Sequence, residues 1–342
     1  MKYKLLGKSG LRVSELCLGT MTFGSDWGYG ADMEESRKIF NTYIEAGGNF
    51  IDTANRYTEG TSERYVGEFI QAEREKLVVA TKYSLYNRMG DPNSAGNHRK
   101  NMRQSVDGSL KRLKTDYVDL LYLHAWDFMT PEEEILRGLD DLVSAGKVLY
   151  IGISDTPAWV ISRCNAIAEL RGWTSFIGLQ IEYSLLQRTV ERDLLPMAKS
   201  LDIGITAWAP LAGGALTGKY LKDISDGRRL KPESARLNDK NTEIVKAVKE
   251  IADEAGCSPV HVAVNWLRQQ SQVVIPVVGA RTENQMRENV AALRFRLTGD
   301  QLYRLNDASR IDLGFPHDFL ASDPVKNVLY AGSIGKIENH RK

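Results

Sequence analysis

The feature that most constrains the fold is an alternation of short apolar runs with longer amphipathic stretches between residues 15 and 292. Eight apolar runs have the length of buried strands, and stretches with helical periodicity separate and follow them. The predicted strands span residues 15–19, 48–52, 77–82, 117–123, 148–153, 176–181, 203–208 and 272–277. The predicted helices span residues 33–46, 62–72, 98–113, 131–145, 156–170, 191–200, a doubled region at 240–269, and 282–292. This order implies an α/β fold with a parallel sheet, and closure into one (β/α)8 TIM barrel domain over residues 1–342 is the most economical arrangement.

Two segments fall outside this repeat. Residues 1–14 place the turn sequence Gly7-Lys8-Ser9-Gly10 between two short apolar runs, which predicts an N-terminal β-hairpin that caps the barrel floor. Residues 209–240 form a long insertion rich in glycine, aspartate and arginine after the seventh strand. A loop of that length inside a compact domain is usually functional or disordered.

Charge and cysteine content narrow the class of protein. The 45 basic and 44 acidic residues nearly balance, and no basic stripe is present, so we expect no nucleic-acid partner. The three cysteines are scattered without a CxxC motif, which suits a reduced compartment and argues against a disulfide framework or a zinc site. The polar N-terminus and the lack of any run of about 18 apolar residues predict no signal peptide, no membrane association and a cytoplasmic location.

Four polar residues occupy positions where predicted strands end. Asp52 and Tyr57 lie where the second strand gives way to a polar loop. Lys82 ends the third strand, and His124 ends the fourth. Because the C-terminal ends of barrel strands converge on one mouth, we expect these four side chains to lie close together.

These residue types together suit the reduction of a carbonyl group. Hydride transfer to the carbonyl carbon builds negative charge on the oxygen, which must be held and then protonated. Tyr57 is the candidate proton donor, although its ordinary pKa of about 10 makes it a weak acid. A neighbouring Lys82 is expected to lower that pKa by favouring phenolate. Asp52 would fix Lys82 and keep it charged, and His124 would orient the carbonyl oxygen.

The motifs around these residues resemble those of the aldo-keto reductase family over nearly the whole chain. The matching segments are Asp52-Thr53-Ala54-Asn55-Arg56-Tyr57, Ser62-Glu63 with Gly67, Asp116-Tyr117-Val118-Asp119-Leu120-Leu121-Tyr122-Leu123-His124, Gly146-Lys147-Val148, Gly152-Ile153-Ser154 and Trp208-Ala209-Pro210-Leu211. The last segment and the long loop after it are similar to the aryl-alcohol-dehydrogenase-like branch, and potassium-channel β-subunits are similar in the same regions. The resemblance implies reduction of aldehydes or ketones to alcohols by NADPH, with the four residues as the catalytic set and no metal ion.

The resemblance also implies where the nicotinamide end of the cofactor lies. Ser154, Asp155 and Gln180 match positions that hold its carboxamide, and Trp208 matches the aromatic residue on which its ring stacks. Asp155 is a departure, because many family members carry asparagine there; a carboxylate can accept from the carboxamide NH2 but cannot donate to its oxygen. The other residues assigned to this part of the cofactor site are Gly19, Thr20, Met21, Asp52, Ala209, Pro210 and Leu211.

No G-x-G-x-x-G motif follows the first strand, so a Rossmann site is not supported. The segment 213–220 matches the P-loop pattern only in part, because Tyr220 stands where a Ser or Thr is needed to bind magnesium. We interpret it as a glycine loop whose amides can approach a pyrophosphate. In the family this loop folds over the cofactor, which implies that 209–240 is a cofactor-covering loop. The residues assigned to it are Gly213, Gly218 and Lys219.

A second phosphate site is predicted after the eighth strand, where Gly279 precedes a helix. A glycine followed by a helix N-terminus presents amide groups to an anion, and barrels commonly bind phosphate after strands seven and eight. The resemblance places Arg281 near the 2′-phosphate of the adenosine ribose. Because a guanidinium can pair bidentately with phosphate, we expect NADP(H) rather than NAD(H). The resemblance also implies that the adenine end is reached by Gln285, Glu288 and Asn289.

Aromatic residues in loops near the same mouth predict an apolar pocket for an aromatic or medium-chain aldehyde. These residues are Trp27, Tyr29, Tyr86, Trp126 and Phe128. Packing within the loops is the alternative role for them.

Three other functions are alternatives to carbonyl reduction. A regulatory subunit that binds NADPH and senses redox state would keep the same residues. A Schiff-base lyase would need Lys82 with a lowered pKa, which a paired Asp52 opposes. Metal-dependent hydrolysis is disfavoured because the five histidines show no ligand spacing. The sequence leaves open the physiological substrate, the direction of the reaction and the oligomeric state.

Overall fold

The computed structural model describes residues 1–221, 230–270 and 273–340, which form a closed parallel barrel surrounded by helices. A separate antiparallel hairpin comprises β1 (Tyr3–Leu5) and β2 (Arg12–Ser14). The barrel strands are β3 (Cys17–Gly19), β4 (Phe50–Asp52), β5 (Val78–Tyr83), β6 (Val118–Leu123), β7 (Val148–Ser154), β8 (Gly178–Glu182), β9 (Gly204–Trp208) and β10 (Val274–Val278). They pair in chain order, and β10 closes the barrel against β3. The predicted (β/α)8 barrel is therefore confirmed; residue 272, the start of the last predicted strand, lies outside the described residues.

The helices are α1 (Met33–Glu45), α2 (Thr61–Phe69), α3 (Arg99–Leu113), α4 (Glu132–Ser144), α5 (Ala158–Arg171), α6 (Leu194–Ser200), α7 (Asp239–Glu254), α8 (Pro259–Arg268), α9 (Glu283–Ala291), α10 (Gly299–Ala308), α11 (His317–Ala321) and α12 (Asp323–Leu329). The predicted helices are all present, and the doubled region consists of α7 and α8. The last three helices were not predicted, because they follow the strand–helix repeat. In the described ranges no helix has the length and apolar character needed to cross a membrane.

The hairpin closes the N-terminal end of the barrel, as predicted. Lys8 donates its backbone N–H to the Asp202 carbonyl at 2.8 Å, just before β9, and Lys4 Nζ donates to the Val274 carbonyl at 3.4 Å. Leu6 and Val13 of the hairpin segment are fully buried against the inward-facing strand residues. Those residues are Cys17, Phe50, Val78, Ala80, Leu120, Tyr122, Ile177, Ile275 and Val277. The barrel floor is therefore filled by buried, mostly apolar side chains.

Every second residue of a barrel strand faces inwards, so the inward-facing positions run from the barrel floor to the mouth. Side chains alternate between the interior and exterior of a barrel along every strand. On β4, β5 and β6 the floor residues are therefore followed two positions later by Asp52, Lys82 and His124. The apolar floor and the polar mouth belong to one inward-facing pattern, with the polar residues at the C-terminal strand ends.

The insertion after β9 is only partly irregular. Residues Ala212–Thr217 and Lys219–Leu221 form short 3-10 helices, and α7 begins at Asp239. Residues 222–229 of the predicted loop lie outside the described residues. Whether 209–240 covers a cofactor stays a prediction.

Candidate active site

Asp52, Tyr57, Lys82 and His124 lie together at the mouth of the barrel. Lys82 Nζ donates to Asp52 Oδ2 at 2.6 Å, to the Thr53 carbonyl at 2.9 Å and to Tyr57 Oη at 3.1 Å. The rings of Tyr57 and His124 have centroids 5.8 Å apart and planes at 81°. The structure therefore brings the four residues into one cluster, although their catalytic roles stay predictions.

A tight turn after β4 positions Tyr57. The residue opens a 3-10 helix, Tyr57–Gly60, in which Thr58 adopts the left-handed conformation with φ of 45°. Thr58 Oγ1 donates to the Phe23 carbonyl at 2.6 Å and accepts from the Ser62 N–H at 3.1 Å. A left-handed threonine is disfavoured unless its surroundings hold it. These two bonds fix the turn and hence the direction of the Tyr57 side chain.

Lys82 and Asp52 form an ion pair inside the protein. Their side chains are 0% and 3% exposed. Burial by itself lowers the pKa of Lys82, but Asp52 and Tyr57 offset this effect and raise that pKa above its ordinary value. Lys82 is therefore an ammonium group at neutral pH. This protonation state argues against a Schiff-base lyase, which needs the neutral amine.

Tyr57 differs from expectation in its proton affinity. Burial raises the pKa of Tyr57 above its ordinary value and outweighs the lowering effect of Lys82. Asp52 and Asp155 raise the pKa further. Lys82 therefore lowers the pKa of Tyr57 as expected, but the net shift in the protein is upward because burial prevails. Tyr57 is a neutral phenol whose oxygen accepts from Lys82, so its own hydrogen remains available for another acceptor.

His124 is neutral in this environment. Burial, followed by the nearby Lys82, lowers the pKa of His124 to about 3. Its ring lines the cavity described below, and its buried Nδ1 has no hydrogen-bond partner within the described residues. A neutral imidazole can offer one N–H to a substrate oxygen without bringing a second positive charge next to Lys82.

The residues predicted to hold the nicotinamide surround this cluster. Gln180 Nε2 donates to Asp52 Oδ1 at 3.0 Å, so the amide is joined directly to the Asp52–Lys82 pair. The indole N–H of Trp208 donates to Asp155 Oδ1 at 3.2 Å. Asp155 is exposed along the cavity but enclosed by protein on its other sides, and this burial raises the pKa of Asp155 above its ordinary value.

These groups share one cavity of about 650 Å³. That volume lies within the range of about 300–1,000 Å³ typical of small-molecule and cofactor sites. Its wall includes most of the predicted cofactor residues, namely Gly19, Met21, Asp52, Ser154, Asp155, Gln180, Trp208, Ala209, Pro210, Leu211, Gly213, Lys219, Gly279, Arg281, Gln285, Glu288 and Asn289. Two predicted residues lie elsewhere. Thr20 is buried with its hydroxyl on the Asp52 carbonyl at 2.9 Å, and Gly218 follows the 3-10 helix in a left-handed conformation.

The cavity wall also contains residues that the sequence did not single out. Arg236 is the most informative, because its guanidinium forms an ion pair with Glu182 at the C-terminal end of β8. Arg236, Lys219 and Arg281 form the cationic part of the cavity wall, which we call the outer end of the cavity. Nothing in the spacing of the insertion distinguishes Arg236 from its other basic residues. The remaining additions are Thr22, Gly214, Thr217, Pro259, Val260, Val277, Val278 and Ala280.

The N-terminus of α9 is less open to an anion than predicted. The Arg281 N–H donates to Gln285 Oε1 at 2.8 Å, and the Glu283 N–H donates to Glu35 Oε1 at 2.6 Å. The Gln285 N–H donates to the N-cap residue Thr282 at 3.3 Å. Three amide groups at this helix end are thus already bonded to side chains, and a phosphate would have to displace Gln285 or bind chiefly to side-chain cations.

The five predicted substrate residues are not on the wall of this cavity. Trp27 donates its indole N–H to Glu59 at 3.1 Å, and the Arg56 guanidinium lies 4.2 Å from the centroid of the Tyr86 ring. The rings of Trp27 and Tyr29 are 6.3 Å apart. These residues form a loop cluster around Arg56, next in sequence to Tyr57.

The other two predicted substrate residues lie apart from this loop cluster. Phe128 is 70% exposed, and Trp126 packs against the outer core. A substrate role for any of the five aromatic residues stays a prediction.

Comparison with known proteins identifies the family. Residues 15–310 match the sequence model of the aldo/keto reductase family. The chain is 39% identical over 334 residues to a norsolorinic acid reductase of Aspergillus flavus, covering 94% of this chain and 84% of that protein. It is 37% identical over 346 residues to an aryl-alcohol dehydrogenase (NADP+) of Phanerodontia chrysosporium, covering 94% and 89%. The resemblance to the aryl-alcohol-dehydrogenase-like branch is therefore confirmed, and the chain belongs to the aldo/keto reductase family of oxidoreductases.

Proposed function

We propose that this protein uses NADPH to reduce aldehydes or ketones to alcohols, with Tyr57 as the general acid. The observation that carries the proposal is the hydrogen bond from Lys82 Nζ to Tyr57 Oη, 3.1 Å long. It orients the phenol so that its hydrogen is available to a substrate oxygen. The same cavity has a cationic outer end, which suits a phosphorylated cofactor.

The side chains on the cavity wall fit a nicotinamide adenine dinucleotide phosphate. Amide and aromatic groups accompany Tyr57, and basic groups form the outer end. Bound NADPH would supply the hydride, which is the chemistry that the protein itself lacks. Ser154, Gln180 and Trp208 would hold the nicotinamide end next to Tyr57. At the opposite end, Arg281 would hold the 2′-phosphate, because a guanidinium can bind it through two hydrogen bonds. The NADP+ in the name of one relative agrees with this assignment.

The catalytic cluster provides for the charge that develops on the substrate oxygen. His124 is neutral, so its N–H can stabilise that oxygen without repelling the Lys82 ammonium. Tyr57 then transfers its proton to the oxygen. The resulting phenolate is stabilised by Lys82, and Lys82 keeps its charge because Asp52 is 2.6 Å away. Asp52, Lys82 and Tyr57 are thus linked in that order by hydrogen bonds.

We infer that the substrate is an aromatic aldehyde or, as the second choice, a medium-chain aliphatic one. The cavity offers apolar surface beside the polar cluster, from Met21, Trp208, Leu211 and Val260. Flat or extended apolar groups can be buried against such a surface, while Tyr57 and His124 fix the carbonyl. Several relatives are named for aryl-alcohol dehydrogenase activity, which supports the aromatic choice.

The decisive experiment follows loss of NADPH absorbance with a panel of aromatic and aliphatic aldehydes, using wild type and Tyr57→Phe. We expect Tyr57→Phe to lower kcat by about 10²–10⁴-fold, the usual contribution of a positioned acid. NADPH binding should stay within about twofold, because the phenol oxygen is a minor part of the cavity wall. Tyr303→Phe, on exposed α10, is the matched control.

Two outcomes would count against the proposal. Undiminished turnover in Tyr57→Phe would remove Tyr57 from the acid role. Tight NADPH binding by wild type without turnover of any aldehyde would favour the regulatory, redox-sensing subunit instead.

A further inference from the structure

Asp155 is a carboxylate without a cationic partner on the wall of the cavity. Asp52 is paired with Lys82, and Glu182 is paired with Arg236. Within the described ranges, no basic side chain lies within 4.0 Å of Asp155 in an ion pair, and the carboxylate accepts its side-chain hydrogen bond from the neutral indole of Trp208. The catalytic end of the cavity therefore carries an excess of negative charge. The outer end carries Lys219, Arg236 and Arg281.

The backbone does not require a charged residue at this position. Asp155 follows β7 in the left-handed conformation, with φ of 41°. Asparagine and aspartate both adopt this conformation more readily than other non-glycine residues. Asparagine could also accept the Trp208 hydrogen bond through its side-chain oxygen. The charge of Asp155 is thus separable from its structural role.

Asp155 lies within electrostatic range of the reacting groups. It contributes to raising the pKa of Tyr57, and Lys82 acts in turn on the Asp155 carboxyl. In the proposed reaction, hydride donor and acceptor atoms must approach to about 3–3.5 Å. Tyr57, Asp155 and Trp208 line the same cavity, so the residues that would hold the nicotinamide ring beside Tyr57 include Asp155 and Trp208. An oxidised nicotinamide ring is cationic, whereas the reduced ring is neutral.

We propose that Asp155 strengthens the binding of NADP+ relative to that of NADPH. It thereby shifts the equilibrium between the two bound forms towards NADP+. This inference rests on the proposed function and adds a determinant of cofactor redox state to it. The carboxamide has the same donor and acceptor atoms in both redox forms, but its oxygen is the stronger acceptor when the ring is reduced. The ratio of the two dissociation constants therefore reports the ring charge together with this smaller difference, and a variant that keeps the charge at position 155 separates the two.

The test measures the Kd of NADP+ and of NADPH by titration calorimetry for wild type and Asp155→Asn. We expect the ratio Kd(NADP+)/Kd(NADPH) to rise about tenfold in Asp155→Asn, as loss of one nearby charge in a partly solvated cavity predicts. A tenfold change corresponds to about 30 mV in the two-electron potential of the bound cofactor. Asp300→Asn, on α10 with an exposed side chain, changes net charge equally and should leave the ratio unchanged.

Asp155→Glu is the second variant, because it keeps the charge while altering the hydrogen-bond geometry. Its ratio should stay within about threefold of wild type. An unchanged ratio in Asp155→Asn, or a shift in Asp155→Glu as large as that in Asp155→Asn, would overturn the inference while leaving the proposed function intact. If wild type binds neither cofactor form, the proposed function itself fails.

Discussion

The two ends of the cavity are built in different ways. At the catalytic end, Asp52 and Lys82 project from neighbouring strands β4 and β5, and their 2.6 Å contact is sealed from solvent. At the outer end, Lys219 and Arg236 come from the insertion after β9, and Arg236 is held by Glu182. Several amides at the N-terminus of α9 are already bonded to side chains.

This difference predicts that catalysis and cofactor affinity depend on different residues. The catalytic end is organised in the protein alone, so a substrate meets groups that need little rearrangement. The outer end must exchange protein contacts for ligand contacts when a phosphate binds. Variants of the Asp52–Lys82 pair should therefore alter stability and turnover, whereas variants at the outer end should alter cofactor affinity.

The largest effect is expected from Lys82→Met, which tests whether the catalytic end is also a structural element. The substitution leaves Asp52 buried without its counter-ion. Breaking a buried ion pair in this way costs about 3–5 kcal/mol in the free energy of unfolding. Denaturant unfolding of the purified variant would measure the loss.

Asp52→Asn in the Lys82→Met background provides the control. Removing the orphaned charge should restore part of the lost stability, so the double variant should be more stable than Lys82→Met alone. A loss of less than about 1 kcal/mol in the single variant would mean that the pair is solvated in solution.

At the outer end, Arg281→Ala should weaken NADPH binding by about 10–100-fold and leave NADH binding within about twofold. The reason is the loss of a bidentate, charge-assisted contact to the 2′-phosphate, which NADH lacks. Binding titrations with both cofactors give the measurement. Arg287→Ala is the matched control, because this arginine lies on α9, the helix that follows Arg281, is 60% exposed and pairs with Glu283. If the binding of both cofactors is weakened equally, Arg281 does not recognise the 2′-phosphate.

His124 provides a prediction about acid stability. Its pKa is about 3 in the folded protein against an ordinary value of 6.5. As pH falls from 6.5 towards 3, unfolded chains take up a proton that folded chains do not, so stability is present above this window and is lost within it. The slope from this residue is at most about 1.4 kcal/mol per pH unit.

His124→Gln should remove that slope. Denaturant unfolding between neutral pH and about pH 4 would measure it, with His340→Gln, at an exposed position near the C-terminus, as control. An unchanged slope would show that His124 is already protonated, or solvated, in the folded protein.

The catalytic end could be predicted from the sequence, whereas most contacts at the outer end could not. The positions of Asp52, Lys82 and His124 depend on strand ends and a two-residue period, which are local properties that a sequence shows directly. The ion pair of Arg236 joins residues 54 positions apart across a loop, and no local pattern encodes it. The occupied amides of α9 likewise depend on Glu35 from α1. Side-chain contacts between elements far apart in the sequence were the part that could not be predicted.

The net direction of the Tyr57 pKa shift could not be predicted for a related reason. A neighbouring lysine can be inferred from motif order, but the extent of burial depends on everything packed around the phenol, and here burial prevails. Helix α10 is a different case, because a local signal was present. Thr298 and Gln301 form a capping box at its start, and this pattern could have predicted the helix.

The smallest expected effect comes from a matched pair of glycines in the predicted covering segment. Gly213 and Gly218 both have left-handed backbones, with φ of 70° and 78°. A Cβ at Gly213 would lie 2.8 Å from Leu230 Cδ2, whereas at Gly218 it would meet no atom of the described residues within 4 Å. Both alanine variants introduce strain of about 1 kcal/mol, and only Gly213→Ala must also move Leu230.

If the segment must hold this conformation around NADPH, that strain appears as weaker binding. Gly218→Ala should raise the Kd for NADPH by about threefold to fivefold, and Gly213→Ala should raise it by a further factor of about two to five. Equal effects in the two variants would mean that Leu230 does not restrain the segment. An unchanged Kd in both would show that the outer end binds the cofactor through its cations alone, and the contrast between a fixed catalytic end and an adjustable cover would no longer hold.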